Sequence, residues 1–400
     1  KAHAGAFAVP TYQSAWLKAH HPAAFYAGIL THDPGMYPQR LLLDDARQSG
    51  VPILGLDINR SKATYVVESL DAELGLRIAL SQVKGISEAE VESLVASQPF
   101  TDINDVWNRA DISRPILERI VLAGGFDAMY DITVPARRGT TTRRDLYVHI
   151  AELDRWRSSG DRDEFLFDVG MQAVPMVTGL PEMNAQERLQ AELEILGMDV
   201  SQHVMAAYEP LMQQLNVVRS EDLLKCRNRQ EVLIAGVKVA TQTPPVRSGK
   251  RVIFLTLDDA TGPLDAAFFE DSQGPYAATV FHSWLLLVRG VIRRTGPRGI
   301  SIRATGAWEL QSVQNVFDAA SRTARGRDTA AGIRAVVELL ETEFSVEEAE
   351  IETVEIGSAS TQRVLVHPSG YRQSPWADIV PAGGVAPPTK LWHTSPGSIG

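Results

Sequence analysis

Apolar positions in the first fifty residues recur three and four apart. Tyr12, Ala15, Trp16 and Ala19 in "TYQSAWLKAH" share one face of a predicted helix, and His21-Pro22 restarts a second, with proline in its first turn. "THDPG" breaks that helix. A third begins at Pro38 and stops at Gly50, a favoured residue just past a helix end. Short strand-like runs follow: "VPILGLDI", "ATYVVE" and "GLRIAL".

In "SQVKGISEAEVESLVA", residues 81–96, a lone glycine stands between a lysine and an isoleucine, just ahead of a serine that opens a helix. Ser87 and Glu90 have the spacing of a capping box. A tight turn feeding a helix N-terminus also turns unpaired N–H groups outward into the positive end of the helix dipole, where an anion is the natural guest. "PFTDINDVWNRADISRPILERIVLAGGFDAM" predicts a second helix-turn-helix unit, with Thr101 and Ser113 as N-caps and Gly124 as the stop. The two units lie in tandem between about residues 76 and 127.

Residues 128–180 read as irregular and charged, with basic "ARRGTTTRRD" and loop-like "SSGDRDEFLFD", before a helix at "NAQERLQAELEIL". The texture changes over 231–310. "EVLIAGVKVA", "RVIFLTLDD", "GPLDAAFF", "WLLLVRGVIRR" and "GISIRATGAWEL" are five alternating runs separated by turn residues, the pattern of a small barrel of the OB type. Residues 311–400 carry a helical "AAGIRAVVELLETEF", an acidic run near Glu347 and a proline- and glycine-rich end, expected to be flexible or to lie along another surface. The fold class expected is multidomain α+β, divided as 1–75, 76–130, 131–230, 231–310 and 311–400.

Composition narrows the chemistry. A chain of 400 residues that is 44% hydrophobic and 22% charged suits several soluble domains. Cys226 is the only cysteine, so an internal disulfide or a thiolate metal cluster is excluded, and a reducing, cytoplasmic setting is expected. "WLLLV" from Trp284 is cut by Arg289, far short of the run of about 20 residues that spans a bilayer. The opening residues lack a methionine and place His3, Lys18, His20 and His21 where a signal would be apolar, so the start reads as a cut inside a longer protein. Net charge of −10 weighs against whole-molecule attraction to nucleic acid but leaves room for local basic patches.

No catalytic constellation emerges. The nine histidines show no zinc spacing, and there is neither a Walker loop nor a G-x-S-x-G elbow. The carboxylate pairs Asp44-Asp45, Asp258-Asp259 and Asp102 with Asp105 fit a polar helix face, a turn at a strand end and a helix N-terminus. Binding signals are stronger. Lys84, Gly85, Ile86 and Ser87 can present amides and one positive charge to a phosphate without reading sequence. In the barrel, Arg247, Lys250 and Arg251 crowd one loop, and Arg289, Arg293, Arg294, Arg298 and Arg303 gather on the last two strands. Phe254, Phe268 and Trp284 offer stacking faces for a single strand, with a place in the barrel core the competing assignment for Phe268 and Trp284.

Taken in order, these segments resemble the C-terminal part of a bacterial C-family replicative polymerase, the alpha subunit of DNA polymerase III. "KAHAGAFAVPTYQSAWLKAHHPAAFYAGILT" resembles the end of its fingers domain. "GLRIALSQVKGISEAEVESLVA" and "ISRPILERIVLAGGFDAM" resemble its tandem helix-hairpin-helix element, "ELEILGMDVSQHVM" the signature leading to its OB domain, and "IFLTLDDATGPLDAAFF" that domain's strands. The resemblance implies a DNA-directed DNA polymerase that grips duplex product and single-stranded template and works with other replication or repair subunits. It also implies magnesium held by palm aspartates upstream of Lys1, so that this region holds no cofactor and is inactive alone. Ser87 stands where the family usually has a second hairpin glycine, and "ADIS" replaces the second hairpin. The family's clamp-binding peptide is reduced to "DEFLFDVG", without its leading glutamine; "QLNVV" at Gln214 fits the letters slightly better but falls in a predicted packing segment. Clamp binding is therefore expected to be weak or indirect, and the error-prone branch is favoured over the main replicase. The alternative is a non-catalytic repair scaffold with the same modules; a tRNA ligase's OB domain would leave the tandem hairpins unexplained.

Overall fold

The computed structural model describes residues 2–33, 35, 37–71, 73–133, 139–158, 175–244, 252–296, 299–323, 326–341, 351–355 and 361–365. It divides into two compact units, Lys1–Val204 and Met205–Gly400, a coarser division than the five parts suggested by the sequence pattern.

In the first unit, α1 (Ala2–His20), α2 (Pro22–His32) and α3 (Gln39–Gln48) lead into a three-stranded sheet. Its strands β1 (Ile53–Leu54), β2 (Val66–Leu70) and β3 (Glu73–Arg77) lie in the order β1-β3-β2, the first pair parallel and the second antiparallel. The face of α1 that carries Tyr12 and Trp16 is exposed, at 71% and 44%. After a short 3₁₀ turn at Leu80–Gln82 come α4 (Glu88–Ser97), α5 (Ile103–Arg109), α6 (Arg114–Leu122) and α7 (Asp127–Tyr130), then α8 (Arg143–Ser158) and α9 (Ala185–Ile195). One hydrophobic core runs from Ala23 to Val200, with Tyr26, Leu80, Leu94, Leu117 and Phe126 among its fully buried members.

Local chemistry explains the element ends and corrects some expectations. The capping box at Ser87 forms as its spacing predicts. The cap of α5 is Asp102, not Thr101, because the Asp102 carboxylate accepts from the Asp105 N–H. Ser113 is the N-cap residue of α6, yet its side chain makes no cap bond there. Gly124 adopts φ +91°, the left-handed conformation that ends a helix and favours glycine. The stretch expected to be irregular after residue 128 contains α8. Leu146, Ile150 and Leu153 form its buried stripe, which the surrounding charged residues obscured. The basic run there is partly structural: Arg143 makes a bidentate pair with Asp127, at 2.9 and 2.6 Å.

The second unit contains α10 (Glu209–Gln214) and a closed five-stranded barrel. Its strands are β4 (Glu231–Gln242), β5 (Ile253–Asp258), β6 (Pro263–Phe268), β7 (Leu285–Arg294) and β8 (Ile300–Glu309), in the order β4-β5-β6-β8-β7. Only β6 and β8 pair in parallel; β4 pairs with β7 to close the ring. That topology matches the OB reading of the alternating runs. Helix α11 (Glu270–His282) joins β6 to β7, and α12 (Leu310–Ser321) follows β8; neither was expected. The helix expected near residue 330 is present as α13 (Thr329–Glu341). "QLNVV" begins at the last residue of α10, and its Val217 and Val218 amides bond to Met212 and Leu233, as a packing segment should. Among the described residues, no helix is long and apolar enough to cross a membrane.

Candidate nucleic-acid interface

A groove of about 740 Å³ opens on the barrel, lined by β5, β6, the end of β7, β8 and the turn 227–230. Strand alternation sends Phe268 inward, where it is fully buried, while Phe269 lines the groove. Phe254, 44% exposed, offers a second aromatic face there. Arg293 is exposed and has no protein partner among the described residues. The Arg303 guanidinium lies 5.3 Å from the Phe269 ring centre and pairs with Asp271 at 2.6 Å. Both ends of that ion pair are more than half exposed, so it holds Arg303 only weakly. Arg294 is more committed: its guanidinium donates to the Leu224 and Cys226 carbonyls at 3.1 and 2.9 Å. Asp265 is an acid in the groove, and its carboxylate accepts from the Thr256 hydroxyl. The result is an arginine-edged, aromatic-floored groove, suited to the backbone and bases of a single strand.

Of the arginines singled out from the sequence, the fold brings Arg293, Arg294 and Arg303 together here. It places Arg289 elsewhere, with its guanidinium donating to the Leu340 carbonyl at 3.1 Å and lying over the Trp308 ring. Arg247, Lys250, Arg251 and Arg298 fall outside the described residues, as does "DEFLFDVG". Trp284 is 41% exposed rather than core, and it does not line the groove. Among the lining residues that were missed are a cation, Arg229, and an aromatic, Phe269. The basic "RNRQ" ahead of β4 and the alternation after Phe268 were the available signals.

The first hairpin differs from the expectation in an informative way. Gly85 adopts φ +82° as the turn requires, but most of the amides around it are taken. Lys84 N–H donates to the Ile195 carbonyl, Ile86 N–H to Val83, and Ser87 N–H to the Glu90 carboxylate. Glu90 also accepts from the Ser113 amide and hydroxyl, at 3.0 and 2.7 Å. The anion expected at this helix end is thus a side chain of the protein, and it serves the N-termini of α4 and α6 together. Burial works to raise the Glu90 pKa, yet the bonds from Ser87 and Ser113 outweigh it and hold the carboxyl at about 2. Facing outward are the exposed Lys84 side chain and Arg119, whose guanidinium donates to the Lys84 carbonyl at 2.6 Å. Arg119 comes from α6 and was not anticipated; a Cβ at Gly85 would meet its Nη1 at 2.6 Å.

Fold and site define a chain of two nucleic-acid-binding modules, one helical and one a barrel. Residues 50–133 match the helix-hairpin-helix motif family and residues 232–310 match the OB-fold nucleic acid binding domain family. The chain is 31% identical to the Error-prone DNA polymerase of Symbiobacterium thermophilum, over 70% of this chain and 29% of that protein. It is 32% identical to the Error-prone DNA polymerase of Corynebacterium diphtheriae, over 66% and 23%, and 26% identical to the DNA polymerase III subunit alpha of Vibrio cholerae, over 79% and 28%. Over most of its length the chain is similar to these bacterial DNA polymerases and alpha subunits. It spans less than a third of the length of the curated relatives it matches. Among solved structures, the asparaginyl-tRNA synthetase of Pyrococcus horikoshii covers 24% of this chain and 23% of its own, at 18% identity and a TM-score of 0.20.

Proposed function

We propose that this chain is the DNA-holding C-terminal region of a DNA-directed DNA polymerase, with single-stranded template in the barrel groove and duplex product on the tandem hairpins. The observation that carries this reading is the groove itself, where Arg293, exposed and without a partner among the described residues, stands with the exposed Phe254. Chemistry belongs to the parent enzyme: the magnesium-holding carboxylates lie in its palm, and this region alone is inactive. Other polymerase subunits are its partners, and error-prone repair synthesis is favoured over bulk replication.

Single-strand affinity should fall steeply with salt, and replacing Arg293 and Arg303 together with alanine should flatten the log–log slope by about 1.4, at about 0.7 per phosphate. Fluorescence anisotropy of a labelled oligothymidylate measures this; an unchanged slope would move the strand elsewhere. For the duplex, Lys84→Glu should weaken binding equally for unrelated sequences, because a backbone contact reads none of them. Sequence-dependent loss, or none, would remove the first hairpin from the interface. "DEFLFDVG" keeps the apolar Leu166 and Phe167 but not the leading glutamine, which leaves a plug worth at most a few kcal/mol before ordering costs. Calorimetry with the organism's own sliding clamp should therefore show weak or no binding. Submicromolar affinity abolished by Phe167→Ala would reverse both this expectation and the preference for the error-prone branch.

A further inference from the structure

The turn 227–230 stands outside the five barrel strands, yet Asn228 and Arg229 line the groove. Its geometry is unusual for its residues. The Gln230 N–H donates to the Arg227 carbonyl, closing a four-residue turn whose third residue, Arg229, has φ +67°. Glycine or asparagine normally fills that position, because a longer side chain meets its own backbone there. An arginine held in so unfavourable a conformation at the lip of a groove points to a role for the side chain.

The turn is also fastened. Arg229 N–H donates to the Ile292 carbonyl at 2.8 Å, and Ile292 N–H returns a bond to the Gln230 carbonyl at 2.9 Å. Arg294 completes the attachment: its backbone N–H donates to Asn228 Oδ1 at 3.1 Å, and its guanidinium holds the carbonyls of Leu224 and Cys226 just upstream. The Arg229 side chain itself is exposed and makes no bond with another described residue. Arg293, a second groove cation whose side chain has no partner among the described residues, lies one residue past the Ile292 anchor.

We infer that the turn 227–230 is an added wall of the groove that grips a phosphate of a single-stranded nucleic acid through Arg229, and that Arg294 is a positioning residue which holds this wall and touches no phosphate. A guanidinium suits the role because its planar donors match phosphate oxygens without reading bases. The inference rests on the proposed binding of a single strand in the groove, and it reassigns Arg294 from contact to support.

The test uses the 400-residue chain, a labelled oligothymidylate and salt titrations of Arg229→Gly, Arg293→Ala, Arg294→Ala and the Arg229→Gly/Arg294→Ala double variant. Arg229→Gly should melt no lower than the parent, since glycine relieves the turn, while the salt slope falls by about 0.7. Arg294→Ala should lower the slope by a similar amount, and the double variant no further, because Arg294 acts through Arg229. A slope lowered by Arg293→Ala but unmoved by Arg229→Gly would overturn the inference and leave the groove reading standing. A double variant that loses about 1.4, or an Arg294→Ala slope equal to the parent's, would overturn the positioning role. Slopes unmoved in all four proteins would overturn the groove reading and this inference with it. Should Arg294→Ala fail to fold, Arg229→Gly against Arg293→Ala decides whether the turn is a contact.

Discussion

Phe268→Ala is expected to destabilise the barrel by about 3–5 kcal/mol, the usual cost of removing a large buried ring and leaving a cavity. The ring is fully buried at the end of β6, and the backbone carbonyl of the same residue anchors Gln273 in α11 at 2.8 Å, so strand and following helix loosen together. Phe254→Ala should do the opposite. Its ring is 44% exposed, so stability should change by no more than about 0.5 kcal/mol, while oligothymidylate affinity falls by about 1–3 kcal/mol through lost base stacking. Urea unfolding and anisotropy on the same two variants separate the roles. A Phe268→Ala protein of undiminished stability that loses single-strand affinity would place that ring in the groove and not in the core.

Glu90→Ala should remove at once the carboxylate bonds to the N-termini of α4 and α6, while the Ser87 hydroxyl still caps α4. Such bonds are worth about 1 kcal/mol at each helix end, so the first unit should lose about 2 kcal/mol at neutral pH, with faster amide exchange in both α4 and α6. The pH dependence has a fixed sign. The folded carboxyl, at about 2, lies below its usual value of 4.5, so its stabilisation is present above pH 4.5 and declines as the pH falls towards 2. The gap between the parent and Glu90→Gln should therefore narrow across that window. A gap that stays constant down to pH 2.5, or loss of protection confined to α4, would show that Ser113 does not depend on Glu90.

What could be read from the sequence was what a short stretch of chain decides for itself. Ser87 and Glu90 are three residues apart, so the capping box follows from helix geometry alone. The alternation in "GPLDAAFF" lets adjacent phenylalanines take opposite faces, and a place in the barrel core was one of the two assignments it offered for Phe268. Gly124 marked a helix end because few other residues adopt its conformation cheaply. Where charge masked a stripe, as in α8, the same local rule was present but went unread.

Contacts between distant segments were not legible, because no local period encodes them. Glu90 meets Ser113 across 23 residues, and Arg119 meets Lys84 across 35, so neither the shared cap nor the cation beside Gly85 could be seen in either stretch alone. Arg289 and Arg293 share a face of β7 by the two-residue period of a strand, although the sequence grouped them only as neighbours on the last two strands. The fold covers one end of that face with Trp308 and the Leu340 carbonyl, and leaves the other open beside the turn 227–230. Periodicity therefore determined which way each arginine points, whereas the packing of later helices and an earlier turn decided which of them still faces solvent and can meet a phosphate.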